Sequence, residues 1–328
     1  MNNKLQKYKQ MKKFALGIDI GGTNTVFGLV NKKGDIFYSD SLRTKNFSKP
    51  TELVKKIYEK WLSIKILLKK NENIIGVGIG APNGNYYTGC IEFAPNLNWK
   101  GEVYLSKMFK RYFSLPVYLN NDANVAALGE MIYGGARKMR DFIVVTIGTG
   151  LGSGFVANRH LIYGHDGLAG ELGHTLYEKN GRLCGCGKKG CLEAYVSSAG
   201  LIKTVNEILL NSKQTSILRS FNNKTLTPLN IQKAAIKGDK LAIEVYWKTG
   251  TILGEKLADA VAITGPAAIF LTGGISFAGN LLIQPAKEAM EKNLLPAFRN
   301  KVNILQSELL SKNAAVLGAA AMVWHKIT

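Results

Sequence analysis

The chain has 328 residues, 46% hydrophobic and 20% charged, with 35 glycines and only 8 prolines, a globular composition long enough for two domains. No apolar run approaches the roughly 18 residues of a membrane-spanning helix, and the start, MNNKLQKYKQMKK, is basic without the apolar centre of a signal peptide. The net charge of +20 is scattered along the chain outside that leader, so it reads as a solvated basic surface, and neither nucleic acid nor membrane is an expected partner.

After the leader, FALGIDIGGTNTVFGLVNKKGDIFYSDSLRT predicts three strands, Phe14 to Ile20, Thr25 to Asn31 and Ile36 to Thr44, joined by turns with hairpin chemistry. Pro50 to Lys70 has helical spacing with proline in the first turn. IIGVGIGAP predicts a buried strand, Glu102 to Tyr112 a helix, VYLNN a strand, and DANVAALGEMIYGG a helix ending at Gly134-Gly135. The pattern then restarts. DFIVVTIGTGLGSGFVANRHLI lies on FALGIDIGGTNTVFGLVNKKGDI with Ile147-Gly148 over Ile20-Gly21, which places Asp19 against Thr146. Two such copies imply a duplicated α/β unit, one opening each domain, with the boundary near Asn120 to Asp122. Helices are expected over Glu193 to Leu210, Asn230 to Gly238, Asp239 to Ile263 and 279 to 293. The strands AIFLTGGIS and NILQSEL and the closing helix AAVLGAAAMVW complete the chain.

The stretch ELGHTLYEKNGRLCGCGKKGCLE carries three of the 4 cysteines and one of the 4 histidines. His174, Cys184, Cys186 and Cys191 supply the one imidazole and three thiols of a closed tetrahedral zinc site. Glu171 and His174 are three residues apart and share a face if the segment is helical. Three clustered thiols would leave one unpaired in a disulfide scheme, and nothing in the chain is secretory in character, so free thiols and a cytoplasmic location are expected.

Three Gly/Thr turns follow strands: Gly21-Gly22-Thr23, Gly148-Thr149-Gly150 and Thr272-Gly273-Gly274. Glycine lets backbone N–H groups approach phosphate oxygens and threonine adds a hydroxyl donor, so three such turns in a duplicated fold point to a nucleotide cleft between domains. No GxxxxGK[ST] is present, which excludes a P-loop enzyme. GTGLGSG leads into a strand rather than a helix and is no dinucleotide fingerprint. Asp19 ends the first strand, where a carboxylate could hold Mg²⁺ through water beside a phosphate. Asp122 sits where a strand gives way to a helix, an N-cap position, but Asn121 and Asn124 crowd the same strand end.

On DIGGTNT at 19–25, GIGAP at 78–82, NLNW at 96–99, NDAN at 121–124, GTGLGSG at 148–154, and ELGH with CGCGKKGCLE, the chain resembles the ROK-family sugar kinases (repressor, open reading frame, kinase). The resemblance runs from Phe14 to the end and is nearest to the glucokinase branch. It implies an α/β fold, a duplicated actin-like ATPase (ribonuclease H-like) of two domains with an inter-domain cleft and a zinc-binding loop. Residues 1–121 would form a small N-terminal domain on which the C-terminal helix 313–328 packs back. Residues 122–312 would form the large domain with the zinc loop. Asp122 is then the base facing the sugar hydroxyl, with Asn96, Asn121, Glu171, His174 and Glu193 on the sugar. His174 both ligates Zn²⁺ and faces the sugar. Asp19, Gly21, Gly22, Thr23, Thr149, Gly150 and Gly152 would serve ATP phosphates and Mg²⁺, and Gly273 and Gly274 the adenosine. The implied reaction is phosphorylation of a hexose, glucose first, by a homodimer or homotetramer.

Kinases for N-acetylglucosamine, N-acetylmannosamine, mannose, fructose or allose would share the same base and loop. Asn83-Gly84-Asn85 departs from the glycine and hydrophobic-Asp pair of many relatives near the sugar pocket. A sugar-responsive repressor is the other class, for which thirteen residues before the first strand are too few to supply a helix-turn-helix. A sugar-binding sensor without catalysis is the third.

Overall fold

The computed structural model describes residues 12–69, 72–222 and 224–327, so the first eleven residues of the basic leader lie outside it. β1 (Lys12–Ile20), β2 (Asn24–Asn31) and β3 (Ile36–Arg43) form an antiparallel meander. β1 is buried from Phe14 to Ile18, whereas β3 alternates half-buried and exposed residues as an edge strand does. α1 (Pro50–Lys65) starts with Glu52 accepting the Lys49 N–H at 3.2 Å. It stops five residues short of the expected Lys70, because Ile66 and Leu67 are largely exposed and extend no apolar face. β4 (Glu72–Ala81), β5 (Gly84–Asn85), β6 (Cys90–Glu92) and β7 (Glu102–Val103) follow. The helix expected from Glu102 begins only at Leu105, as α2 (Leu105–Lys110), since Glu102 and Val103 pair with β6. β8 (Val117–Asn121) then leads directly into α3 (Asp122–Ile132).

The second half repeats the scheme with β9 (Phe142–Ile147), β10 (Leu151–Ala157) and β11 (His160–Leu161). The single helix expected over Glu193 to Leu210 is two, α4 (Glu193–Val196) and α5 (Ser198–Asn211), broken at Ser197, whose hydroxyl caps α5. After them come α6 (Pro228–Ile236), α7 (Lys240–Thr264), β12 (Ala268–Thr272), α8 (Asn280–Asn293), β13 (Asn303–Gln306) and α9 (Ala314–Ile327).

The strand orders state the duplication. One five-stranded sheet runs β3-β2-β1-β4-β8 and the other β11-β10-β9-β12-β13. In each, an antiparallel three-strand meander continues into two parallel strands. β5, β6 and β7 make a separate small sheet.

The described residues up to Tyr133 and from Asn313 on form one compact unit, and Gly134–Lys312 the other. The boundary thus falls twelve residues beyond the expected Asn121/Asp122, because α3 packs extensively on α9 and stays with the first unit. α9 is apolar all round and buried from Val316 to Trp324 against β1, β4 and α3. Glycine at position 78 permits that approach: a Cβ there would lie 1.9 Å from the Ala319 carbonyl oxygen. Each unit has its own hydrophobic core. Among the described residues no helix is long and apolar enough to cross a membrane.

Candidate active site and metal centre

In the first unit the register aligns the ends of β1, β4 and β8: Asp19 pairs with Gly80, and Ala81 with Asn121. The N-cap expected at Asp122 is Asn121 instead, whose Oδ1 accepts the Ala123 N–H at 2.9 Å; Asp122 opens α3 and takes the same N–H at 2.8 Å. Sharing the cap leaves most of the acceptor capacity of the Asp122 carboxylate for a ligand. Asp122 is itself exposed, yet the protein packed around it partly desolvates the carboxyl and raises it above the usual range, offset in part by the Ala123 N–H. Asp19 is pushed up to about 7, first by burial and then by the charge of Asp122, so the two carboxylates are electrostatic neighbours at one sheet edge.

Gly21 begins the β1–β2 turn, donating its N–H to the Asn24 carbonyl at 2.9 Å, and Thr23 is exposed at the tip. The NLNW segment closes over this turn. A Cβ on Gly22 would lie 2.4 Å from the Asn96 carbonyl oxygen. Leu97 and Trp99 are buried, with the Trp99 indole N–H on the Phe47 carbonyl, which leaves Asn96 exposed beside Gly22.

Asn120 escapes motif reading, whereas its partner Asn124 belongs to the NDAN motif. Asn120 and Asn124 are 1% and 3% exposed, and Asn120 Oδ1 accepts both the Asn121 N–H at 2.9 Å and the Asn124 amide at 3.2 Å. They tie β8 to α3 on either side of Asp122. Two polar residues at i and i+4 across a strand–helix junction are the sequence signal for such a tie.

In the second unit, the turn Gly148-Thr149-Gly150 is closed by the Gly148 N–H on the Gly150 carbonyl at 2.9 Å, with Thr149 exposed. Gly152, expected in this turn, lies within β10 opposite Thr146, so its peptide serves the sheet. The Gly148 carbonyl accepts the Ser198 N–H and hydroxyl at 2.8 and 2.7 Å, a clasp absent from any motif reading. Gly273 follows β12 with φ of 91° and Gly274 opens a short 3₁₀ turn, capped by the Ser276 hydroxyl on the Gly273 carbonyl at 2.6 Å.

Glu171 precedes a 3₁₀ turn over Leu172–His174, and the His174 N–H bonds the Glu171 carbonyl at 3.0 Å. The tighter helix brings i and i+3 into register. Ser153 fixes the turn to β10 by donating to the Gly170 carbonyl and accepting the Leu172 N–H. Glu193, first residue of α4, accepts the Leu151 N–H through Oε2 at 2.9 Å and the Cys184 thiol through Oε1 at 3.4 Å. Glycine at position 150 leaves room for this carboxylate, since a Cβ there would lie 2.5 Å from Glu193 Oε2 and would displace it.

His174, Cys184, Cys186 and Cys191 converge. One donor atom from each lies within 4.8 Å of all the others. Cys184 Sγ is 3.8 Å from His174 Nδ1, and Cys186 Sγ is 3.7 Å from Cys191 Sγ. Thiolates bound at about 2.3 Å to one tetrahedral ion stand about 3.8 Å apart, so the donor set and its spacing fit zinc. Burial pushes the Cys184 thiol up to about 12, a preference that a cation bound to the sulfur would reverse. A separate cavity of about 700 Å³ touches the segment at Glu171, Leu172 and Thr175, but Phe155, Ile162, Ala260 and Ile263 make it an apolar space unsuited to a ring of hydroxyls.

A model of the ROK family matches residues 15–326. The chain belongs to the ROK family. This ROK protein is 32% identical over 311 residues to the glucokinase of Streptomyces coelicolor, spanning 93% of its own length and 96% of the relative's. It is 30% identical over 314 residues to the xylose repressor of Caldicellulosiruptor bescii, at 94% and 77% coverage. The solved structure of a ROK family glucokinase from Streptomyces griseus, in complex with glucose and AMPPNP, matches with a TM-score of 0.78 at 29% identity, covering 95% of this chain and 99% of that one. The fold of this ROK protein is therefore the actin-like ATPase fold, α/β with two mixed sheets.

Proposed function

We propose that the protein is an ATP-dependent sugar kinase, with Asp122 as general base toward a hexose hydroxyl and glucose as the first candidate substrate. The observation that carries the reading is the Asp122 carboxylate, open to a ligand at a strand–helix junction and electrostatically coupled to Asp19 at the carboxyl edge of a parallel sheet segment. A carboxylate held above its usual pKa range is a stronger base, as acceptance of a hydroxyl proton during phosphoryl transfer requires.

Asn96, Asn121, Glu171, His174 and Glu193 would bind the other sugar hydroxyls; carboxylates suit this because each oxygen accepts more than one hydroxyl. The Gly21–Thr23 and Thr149–Gly150 turns would take the ATP phosphates, with Gly273 and Gly274 near the adenosine. Mg²⁺, held through water near Asp19, would neutralise phosphate charge. His174, Cys184, Cys186 and Cys191 would hold Zn²⁺, which fixes the direction of the His174 ring and so of its face toward the sugar. Glucose and AMPPNP on the Streptomyces griseus relative, and glucokinase activity in the name of the Streptomyces coelicolor one, support these assignments. A dimer or tetramer is the assembly we infer.

The xylose repressor among the relatives keeps a sugar-responsive regulator as the second reading. Sugar-dependent ADP release separates the two, because a regulator binds sugar without consuming ATP.

A further inference from the structure

Six described non-glycine residues adopt positive φ, and four of them are asparagine, which tolerates that region. Phe93, at φ 51°, is the aromatic exception. A bulky side chain there strains the backbone, and the ring is 70% exposed, so no buried packing offsets the strain. Glycine or asparagine would make the same turn more easily. The backbone alone gives no reason for phenylalanine.

The strained turn is held by specific bonds. The Phe93 N–H donates to the Gly101 carbonyl at 3.0 Å, the Glu92 N–H to the Asn83 carbonyl at 3.0 Å, and the Asn83 amide to the Glu92 carbonyl at 2.9 Å. Asn83 is itself at φ 51°, so two left-handed residues are clamped together. The clamp sits at the candidate site. Asn83 lies two residues beyond Ala81, which pairs with Asn121, and a Cβ on Gly84 would meet the Asn120 carbonyl oxygen at 2.5 Å. On its other side, Phe93 is three residues before Asn96, whose carbonyl packs on Gly22.

Resting on the sugar-kinase reading, we propose that Phe93 is a specificity-determining residue: its exposed ring is a platform for the C–H face of a pyranose held at Asp122. The negative face of an aromatic ring attracts the polarised C–H bonds of a sugar. A hexose whose hydroxyls are all equatorial presents C–H groups on both faces, and an axial hydroxyl interrupts the face from which it projects. The platform therefore favours a gluco-configured ring over epimers whose axial hydroxyl projects from the stacked face.

Phe93→Gly removes ring and strain together, Phe93→Ala removes the ring alone, and Phe93→Tyr keeps a face. The expected result is that Phe93→Gly and Phe93→Ala raise the sugar KM about three- to tenfold, with the KM for ATP and kcat unchanged and Phe93→Tyr close to wild type. Phe93→Gly should also raise Tm by about 2–4 °C, the combination of firmer fold and weaker sugar binding that a merely structural residue would not give. A Phe93→Gly protein with unchanged sugar KM overturns the proposal. If the wild type turns over no sugar, the kinase reading fails on its own, and calorimetric binding of glucose to wild type and Phe93→Gly still decides the platform: equal affinities refute it and a three- to tenfold gap (about) upholds it.

Discussion

Glu193 and Cys184 stand 3.4 Å apart, Oε1 to Sγ, while the other oxygen of the same carboxylate takes the Leu151 N–H at 2.9 Å. One side chain thus joins the cysteine loop to the strand that leaves the Gly148–Gly150 turn. A change in the loop is felt at a carboxylate assigned to the sugar.

Metal removal should show this directly. Purified protein is expected to carry about one zinc per chain, measured by emission spectroscopy. Cys184→Ala should lose it and raise the glucose KM by at least about tenfold. Zinc retained by that variant, or an unchanged KM after its loss, would count against the assigned ligand set.

Glu193 separates charge from hydrogen bonding. Glu193→Gln keeps an acceptor for the Leu151 N–H, so thermal stability should hold while glucose affinity falls. Glu193→Ala leaves that buried N–H without its partner and should cost about 1–3 kcal/mol of stability in denaturant titration. Equal stability of the two variants would show that the Leu151 bond contributes nothing.

Asp19 carries a pH signature. Its folded pKa of about 7 lies above the ordinary 3.8, so its contribution to stability is complete below pH 3.8 and is lost as pH rises through 7. Asp19→Asn does not titrate. In magnesium-free buffer without ligands its Tm should exceed that of the wild type at pH 8, and the two should converge near pH 4. A constant difference across that range would contradict the burial and the Asp122 charge invoked for Asp19.

Asp122→Asn should bind glucose within about threefold of wild type by calorimetry yet lose at least about 100-fold in kcat. A variant that failed to bind sugar would make Asp122 a binding group rather than the base.

Much of this was legible in the chain because local signals agreed. DIGGTNT and TIGTGLGSG each follow a strand of apolar residues, and the two sheets have the same strand order. The four metal donors are close in sequence and converge in space. What escaped depends on partners distant in sequence. Residues 193–210 have helical character throughout, and the break at Ser197 comes with the Ser198 clasp on the Gly148 carbonyl, fifty residues earlier. Glu102 and Val103 read as the start of a helix until β6 supplies a strand to pair with. The domain boundary moved because α9, nearly two hundred residues beyond α3, packs against it. Asn120 looks like an ordinary polar strand residue until its burial against Asn124 is seen.

Sugar-stimulated ADP release by the wild-type protein, followed with ATP and Mg²⁺ across glucose, mannose, fructose, N-acetylhexosamines and xylose, is the decisive assay. Rapid ADP formation with a hexose, highest with glucose and lost in Asp122→Asn, is the expected result. Sugar binding without ADP formation from any member of the panel would contradict it and make the protein a sensor or regulator.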